Sequence, residues 1–121
     1  SGIGKYLKEQ KPTVKIVGVE PEASPFLTKG EKGAHKIQGI GAGFKPEILN
    51  TEVIDEILTV SDAEAYAKGR ELAAKYGLLV GISSGAAYSA ALSLAKKHPD
   101  KNIVVIFPDS GTRYISTEGY Y

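Results

Sequence analysis

Leu78-Leu79-Val80-Gly81-Ile82-Ser83-Ser84-Gly85-Ala86-Ala87 is an apolar run that breaks at a Gly/Ser turn and restarts as an Ala-rich helix. The first backbone N–H groups of a helix lack intrahelical partners and carry the positive end of its dipole. A turn of this kind therefore aims small hydroxyls and free amides at one point, where a ligand lone pair or negative charge is well placed. What docks there decides the function.

Reading outward from the turn, Ala86 to Lys97 is a small-residue helix buried on more than one side. Lys96, Lys97 and His98 suit the negative end of its dipole, and Pro99 blocks continuation. Asn102-Ile103-Val104-Val105-Ile106-Phe107 then reads as a buried strand bounded by Pro108. On the other side, Leu58-Thr59-Val60 is a short strand candidate, closed by the capping box Ser61-Asp62-Ala63-Glu64. A helix over 62–76 follows, supported by Glu64/Lys68 and Glu71/Lys75 pairs and ended by Gly77 at the position where a left-handed turn is cheap. Farther out, Val14 to Val19 is a β-branched run suited to a buried strand, and residues 3–10 form a helix ended by Lys11-Pro12. Between Glu20 and Lys45, five glycines and two prolines without periodicity make a long loop. Strands alternating with helices give an α/β fold with a doubly wound, mainly parallel sheet. Ligands of such sheets bind at the carboxyl ends of the strands, where the 81–85 turn, the Pro108-Asp109-Ser110-Gly111 turn and the glycine loop are expected to meet.

The composition narrows the field. With 121 residues, 42% hydrophobic and 24% charged, the chain is long enough for about one domain. Fifteen basic and 14 acidic residues give a net charge of +1 with no long like-charge run, so nothing marks a nucleic acid or anionic membrane as partner. There is no Cys, which excludes disulfides, thiolate metal sites and a Cys nucleophile, and His35 and His98 are too few for a zinc cage. No apolar run approaches the roughly 20 residues of a membrane span. The default expectation is a cytoplasmic protein. Opening on Ser1-Gly2-Ile3-Gly4 with no Met anywhere, the chain reads as a piece of something longer, cut inside a helix.

Three motifs compete for the chemistry. Gly81-Ile82-Ser83-Ser84-Gly85 matches the G-x-S-x-G nucleophile elbow, but that elbow needs a downstream His. The only candidate, His98, lies near the end of the helix the Ser would start, roughly 20 Å away at 1.5 Å per residue. The triad cannot close, and the competing reading of Ser83 or Ser84 as a helix N-cap stands beside a ligand role. Gly39-Ile40-Gly41-Ala42-Gly43-Phe44 has G-x-G-x-G spacing, not the dinucleotide G-x-G-x-x-G; it is either a flexible connector or a loop whose backbone approaches a ligand. Pro108-Asp109-Ser110-Gly111-Thr112-Arg113-Tyr114 is either a plain turn with an exposed Arg or a site loop beyond a core strand.

Taken together, these stretches resemble the cysteine synthase (O-acetylserine sulfhydrylase) family of fold type II pyridoxal-phosphate enzymes, whose fold is tryptophan synthase β-like. The likeness runs the whole length, through Ser1-Gly2-Ile3-Gly4-Lys5-Tyr6-Leu7-Lys8, Val17-Gly18-Val19-Glu20-Pro21, His35-Lys36-Ile37-Gln38-Gly39-Ile40-Gly41-Ala42-Gly43-Phe44, the Gly81–Ala87 turn and Arg113-Tyr114-Ile115-Ser116-Thr117. The block from His35 to Phe44 is the most specific.

The resemblance implies pyridoxal 5'-phosphate as cofactor, with Ser83 donating a hydrogen bond to its pyridine nitrogen and Pro108 and Asp109 near the ring. A neutral donor leaves that nitrogen largely unprotonated, a weaker electron sink that favours β-replacement through an α-aminoacrylate over transamination. Gly39, Ile40, Gly41 and Ala42 would line the substrate side. The reaction implied is replacement of the acetoxy group of O-acetyl-L-serine by sulfide, giving L-cysteine and acetate. Implied partners are a second copy in a homodimer and the C-terminal tail of a serine acetyltransferase. The resemblance also implies that residues 1–121 are the C-terminal part of the enzyme, mostly its larger domain. No lysine here matches the family's Schiff-base position, so that residue lies upstream, no catalytic residue is expected within the chain, and the chain alone would be inert. Lys45 before Pro46 and the tail Glu118-Gly119-Tyr120-Tyr121 depart from the family's pattern. They leave room for a cystathionine β-synthase-like or lanthionine-forming relative, or for a non-catalytic binding module.

Overall fold

Residues that carry the strongest local signals form the elements that position everything else. A computed structural model describes all 121 residues. Helix α1 (Gly2–Gln10) leads to strand β1 (Val17–Pro21), a single-turn helix α2 (Phe26–Lys29), strand β2 (Glu56–Val60) and helices α3 (Asp62–Tyr76) and α4 (Ile82–Lys97), with 3-10 turns at Thr51–Val53 and Gly111–Tyr114. β1 and β2 pair in parallel, with Val17 opposite Glu56 and Val19 opposite Leu58. The fold is mixed α/β with a parallel sheet, as the alternation of patterns implies.

Helix α3 occupies the residues its sequence marks. The Ser61 hydroxyl accepts from the Glu64 amide at 3.2 Å and the Glu64 carboxylate accepts from the Ser61 amide at 3.0 Å, completing the capping box. Gly77 ends the helix at φ 69°, a left-handed conformation that a Cβ would strain. Of the two expected pairs only Lys75–Glu71 forms, at 3.1 Å. Glu64 is committed to the cap, and Lys68 turns instead to Glu71, three residues on.

The core lies where α3 and α4 meet the sheet. It joins Val60, Ala65, Ile82, Ala86 and Ala90 to Ile37 of the glycine loop and to Tyr114 and Tyr120 of the tail. Small residues bring the two helices together: a Cβ on Gly85 would collide with the Ala65 carbonyl and lie 2.8 Å from the Gly69 nitrogen.

Several expectations are corrected. Helix α4 begins at Ile82, not Ala86, with Gly81 as N-cap, so neither Ser83 nor Ser84 caps it; both sit inside the first turn. Burial is concentrated in its first half, Ile82 to Ala86 and Ala90. β1 lies later than the 14–19 run and ends at Pro21. The glycine loop holds the short α2, whose Leu27 and Thr28 amides donate to the buried Glu20 carboxylate at 2.9 Å each. The apolar run Leu78–Val80 makes a single antiparallel bridge, from Val80 to Ser110.

The largest correction is Asn102–Phe107, which joins no ladder. Its side chains do alternate as a strand's would, but Val104 is 87% and Ile106 57% exposed. A strand needs a neighbour to satisfy its backbone, and no strand of this chain lies beside it. The accessible surface, 7861 Å², exceeds the roughly 6,300 Å² of a compact monomer of 12.8 kDa. No helix is long and apolar enough to cross a membrane.

At the other end, α1 is tied to the 48–55 segment. Ser1 Oγ donates to the Ile48 carbonyl and accepts from the Asn50 amide, while Lys8 pairs with Asp55 at 2.8 Å. The Lys8 ammonium, then the Ile16 N–H, hold the Asp55 carboxyl below its ordinary 3.8. A carboxyl held below its unfolded value stabilises the fold fully above that value and loses the effect as pH falls through its folded pKa. Melting temperature is therefore expected to fall on acidification below 3.8, and Asp55→Asn to flatten that fall. An unchanged slope in the variant would remove this pair from the account.

Candidate functional site

The turn that opens α4 is built from both sides. Gly81 N–H donates to the Asp109 carbonyl and Gly111 N–H to the Leu79 carbonyl, each at 3.0 Å, so residues 79–81 and 109–111 are laced together. The Ser84 hydroxyl lies 3.5 Å from the same Asp109 carbonyl. Gly81 must be glycine here: a Cβ would collide with Asp109 Oδ1 and lie 2.8 Å from the Tyr114 ring.

The first turn of α4 has donors to spare. The Ser84 and Gly85 amides return to the Gly81 carbonyl at 3.1 and 3.2 Å, which leaves the Ile82 and Ser83 amides without a protein acceptor. Ser83 is buried, and its hydroxyl has no protein partner. Asp109 presents one oxygen to the Tyr114 hydroxyl, which donates at 2.5 Å. Its other oxygen, Oδ1, is buried and unpartnered beside Gly81. The Asp109 hydrogen bond first, then burial, push the Tyr114 phenol above its ordinary value, so it stays a donor. A neutral hydroxyl, two free amides and an unpaired carboxylate oxygen at one helix end fit a polar heteroaromatic cofactor.

The structure thus brings the turn that carries Ser83 against Asp109, through Gly81 and Ser84, with Pro108 exposed next to Asp109 in the chain. Gly39, Ile40, Gly41 and Ala42 instead line a separate cavity of about 370 Å³, also walled by Glu20 and Phe44 and by neither Ser83, Pro108 nor Asp109. The three loops expected to meet therefore do so only in part. Gly41, at φ 64°, lies against Pro21 and His35, where a Cβ would be 2.7 Å from the imidazole.

His35, set aside in the sequence as a lone histidine, holds this loop. The Ile37 N–H donates to His35 Nδ1 at 3.2 Å, so Nε2 carries the proton and donates to the Gly41 carbonyl at 2.9 Å. Its neighbours in the His35–Phe44 string were the available signal. Glu20 and Tyr114 were likewise visible in quoted motifs, but their partners lie several residues away across turns.

A family model described as pyridoxal-phosphate dependent enzyme matches residues 1–109, and the chain belongs to that family. Pyridoxal phosphate is the family's cofactor. Among relatives, the chain is 59% identical over 118 residues to cysteine synthase B of Campylobacter jejuni, covering 98% of this chain and 39% of that protein. Among solved structures it is similar to cysteine synthase from Entamoeba histolytica, with TM-score 0.95 and 44% identity over 98% of this chain and 36% of that one. It is also similar to the O-acetylserine dependent cystathionine β-synthase from Helicobacter pylori, with TM-score 0.87 and 47% identity over 99% of this chain and 39% of that one. The chain therefore spans about 39% of the length of the curated relatives it matches.

Proposed function

We propose that this chain forms the carboxy-terminal part of a cytoplasmic cysteine synthase, mostly its larger domain, with the catalytic lysine supplied from outside these residues. The reaction is replacement of the acetoxy group of O-acetyl-L-serine by sulfide, releasing acetate and L-cysteine. The observation that carries this reading is Ser83, a buried residue at a helix N-terminus whose hydroxyl has no protein partner. The exposed face of Val104 and Ile106 supports a further segment packing beside Asn102–Phe107.

When bound, pyridoxal phosphate supplies an electron sink for chemistry at the substrate's α carbon. Ser83 would donate to the ring nitrogen and, being neutral, would not protonate it. Pro108 and Asp109 would wall the ring, with the Asp109 carboxylate held by the Tyr114 hydroxyl. Gly39, Ile40, Gly41 and Ala42 would line the substrate side from their own cavity, where Gly39 and Gly41, which lack a Cβ, would let substrate approach the backbone closely. A second copy in a homodimer and a serine acetyltransferase tail are the partners this reading names.

Ser83→Ala in the holoenzyme containing this segment is expected to shift the bound cofactor's absorbance, loosen the cofactor roughly tenfold and lower turnover. An unchanged spectrum and rate would remove Ser83 from the site. The likeness to an O-acetylserine dependent cystathionine β-synthase favours a second reading, with a thiol amino acid as nucleophile. Assay of the same holoenzyme with sulfide, homocysteine and cysteine in competition decides between them.

A further inference from the structure

The tail is where the structure places its most buried aromatic ring. Tyr120 is 0% exposed. It lies over Gly69, where a Cβ would sit 2.7 Å from its ring, and is boxed by Tyr66, Tyr114 and Tyr121 with centroids 5.4, 6.0 and 4.4 Å away. Arg70 Nη1 donates to the Gly119 carbonyl at 2.6 Å and holds the tail in place.

Such a box would accept phenylalanine, and burying a hydroxyl in it is unfavourable unless the hydroxyl is bonded. The Tyr120 hydroxyl has one partner: it donates to the Val80 carbonyl at 2.7 Å. The Tyr121 hydroxyl donates to the same oxygen at 3.0 Å. A carbonyl oxygen has two lone pairs, so two donors saturate it and set its direction.

Val80 C=O and Gly81 N–H belong to one rigid peptide plane. The two phenols grip its oxygen, and the Asp109 carbonyl grips its N–H at 3.0 Å. The plane is thus clamped at both ends one residue before α4 begins, and Ser83 stands two residues into the segment it aims.

We propose that Tyr120 and Tyr121 are positioning residues, whose paired hydroxyls on the Val80 carbonyl set the direction of the first turn of α4 and with it the Ser83 hydroxyl. This rests on the reading of Ser83 as donor to the cofactor ring. Burial above all pushes the Tyr120 phenol well above its ordinary value, so it remains a donor at any working pH.

The test uses the pyridoxal-phosphate holoenzyme containing this segment, with Tyr120→Phe, Tyr121→Phe, both together, and Ser83→Ala. Phenylalanine keeps the packing, and the single variants, each retaining one donor, are expected to change little. The double variant is expected to raise hydrogen exchange at the Gly81 amide at least tenfold. It should also move the cofactor spectrum in the same direction as Ser83→Ala and lower kcat several-fold with KM nearly unchanged. If Ser83→Ala moves the spectrum and the double variant does not, or if Gly81 exchange is unaltered, the positioning role is overturned while the site reading survives. If Ser83→Ala leaves the spectrum unmoved, the site reading itself fails and the inference fails with it.

Discussion

Tyr120→Ala is expected to destabilise the protein by about 3–5 kcal/mol, the range for truncating a buried aromatic side chain. Tyr120 has no exposed surface, meets three other tyrosine rings and fills the space above Gly69. Alanine leaves a ring-sized void among residues that cannot collapse, because α3 and α4 are already in backbone contact beneath it. Tyr120→Phe is the internal comparison: it removes only the bond to Val80 and should cost about 1 kcal/mol. Denaturant unfolding measures both. A loss under about 1 kcal/mol for the alanine variant would mean the tail is not packed in solution.

Gly85→Ala should destabilise by about 2 kcal/mol or more, against the usual sense of the change. Within an exposed helix, alanine is favoured over glycine by about 1 kcal/mol. Here the new Cβ meets the Ala65 carbonyl and the Gly69 nitrogen, both backbone, so α3 must move as a body. Overpacking of this kind costs about 1–3 kcal/mol and occasionally more, and with no flexible side chain to yield it outweighs the propensity gain. Gly2 of α1, with nothing within 4 Å of an added Cβ, is the contrast, and Gly2→Ala should be neutral or slightly stabilising. Thermal melts of the two variants moving the same way would contradict this account of the α3–α4 contact.

What was legible in the chain depended on the range of the interaction behind it. The span of α3 was readable to the residue, because a capping box, a helical face and Gly77 all act within a turn or two. The α4 start was misplaced by one turn. Ser83 and Ser84 look like caps in isolation, but Gly81, pulled onto Asp109, takes that place. Asn102–Phe107 has a strand's composition and alternation, yet a ladder belongs to two segments, and no strand of this chain lies beside it. His35 and Glu20 were visible as residues and invisible as roles, since each acts on a loop amide or carbonyl whose position depends on the folded loop.

The same division separates the candidate site into two parts. By itself the sequence determined the family, through the resemblance of stretches along the whole chain, and the α/β class, the helix over 62–76 and the presence of Ser83 at a helix N-terminus, the last two set by short spacings and local hydrogen bonding. Tertiary structure alone decided that the Gly39–Ala42 loop has its own cavity, apart from Ser83 and Asp109. It alone decided, too, that two tyrosine hydroxyls from the tail converge on Val80, 40 and 41 residues away. Contacts at that separation are chosen by how the whole chain packs, and no local pattern encodes them.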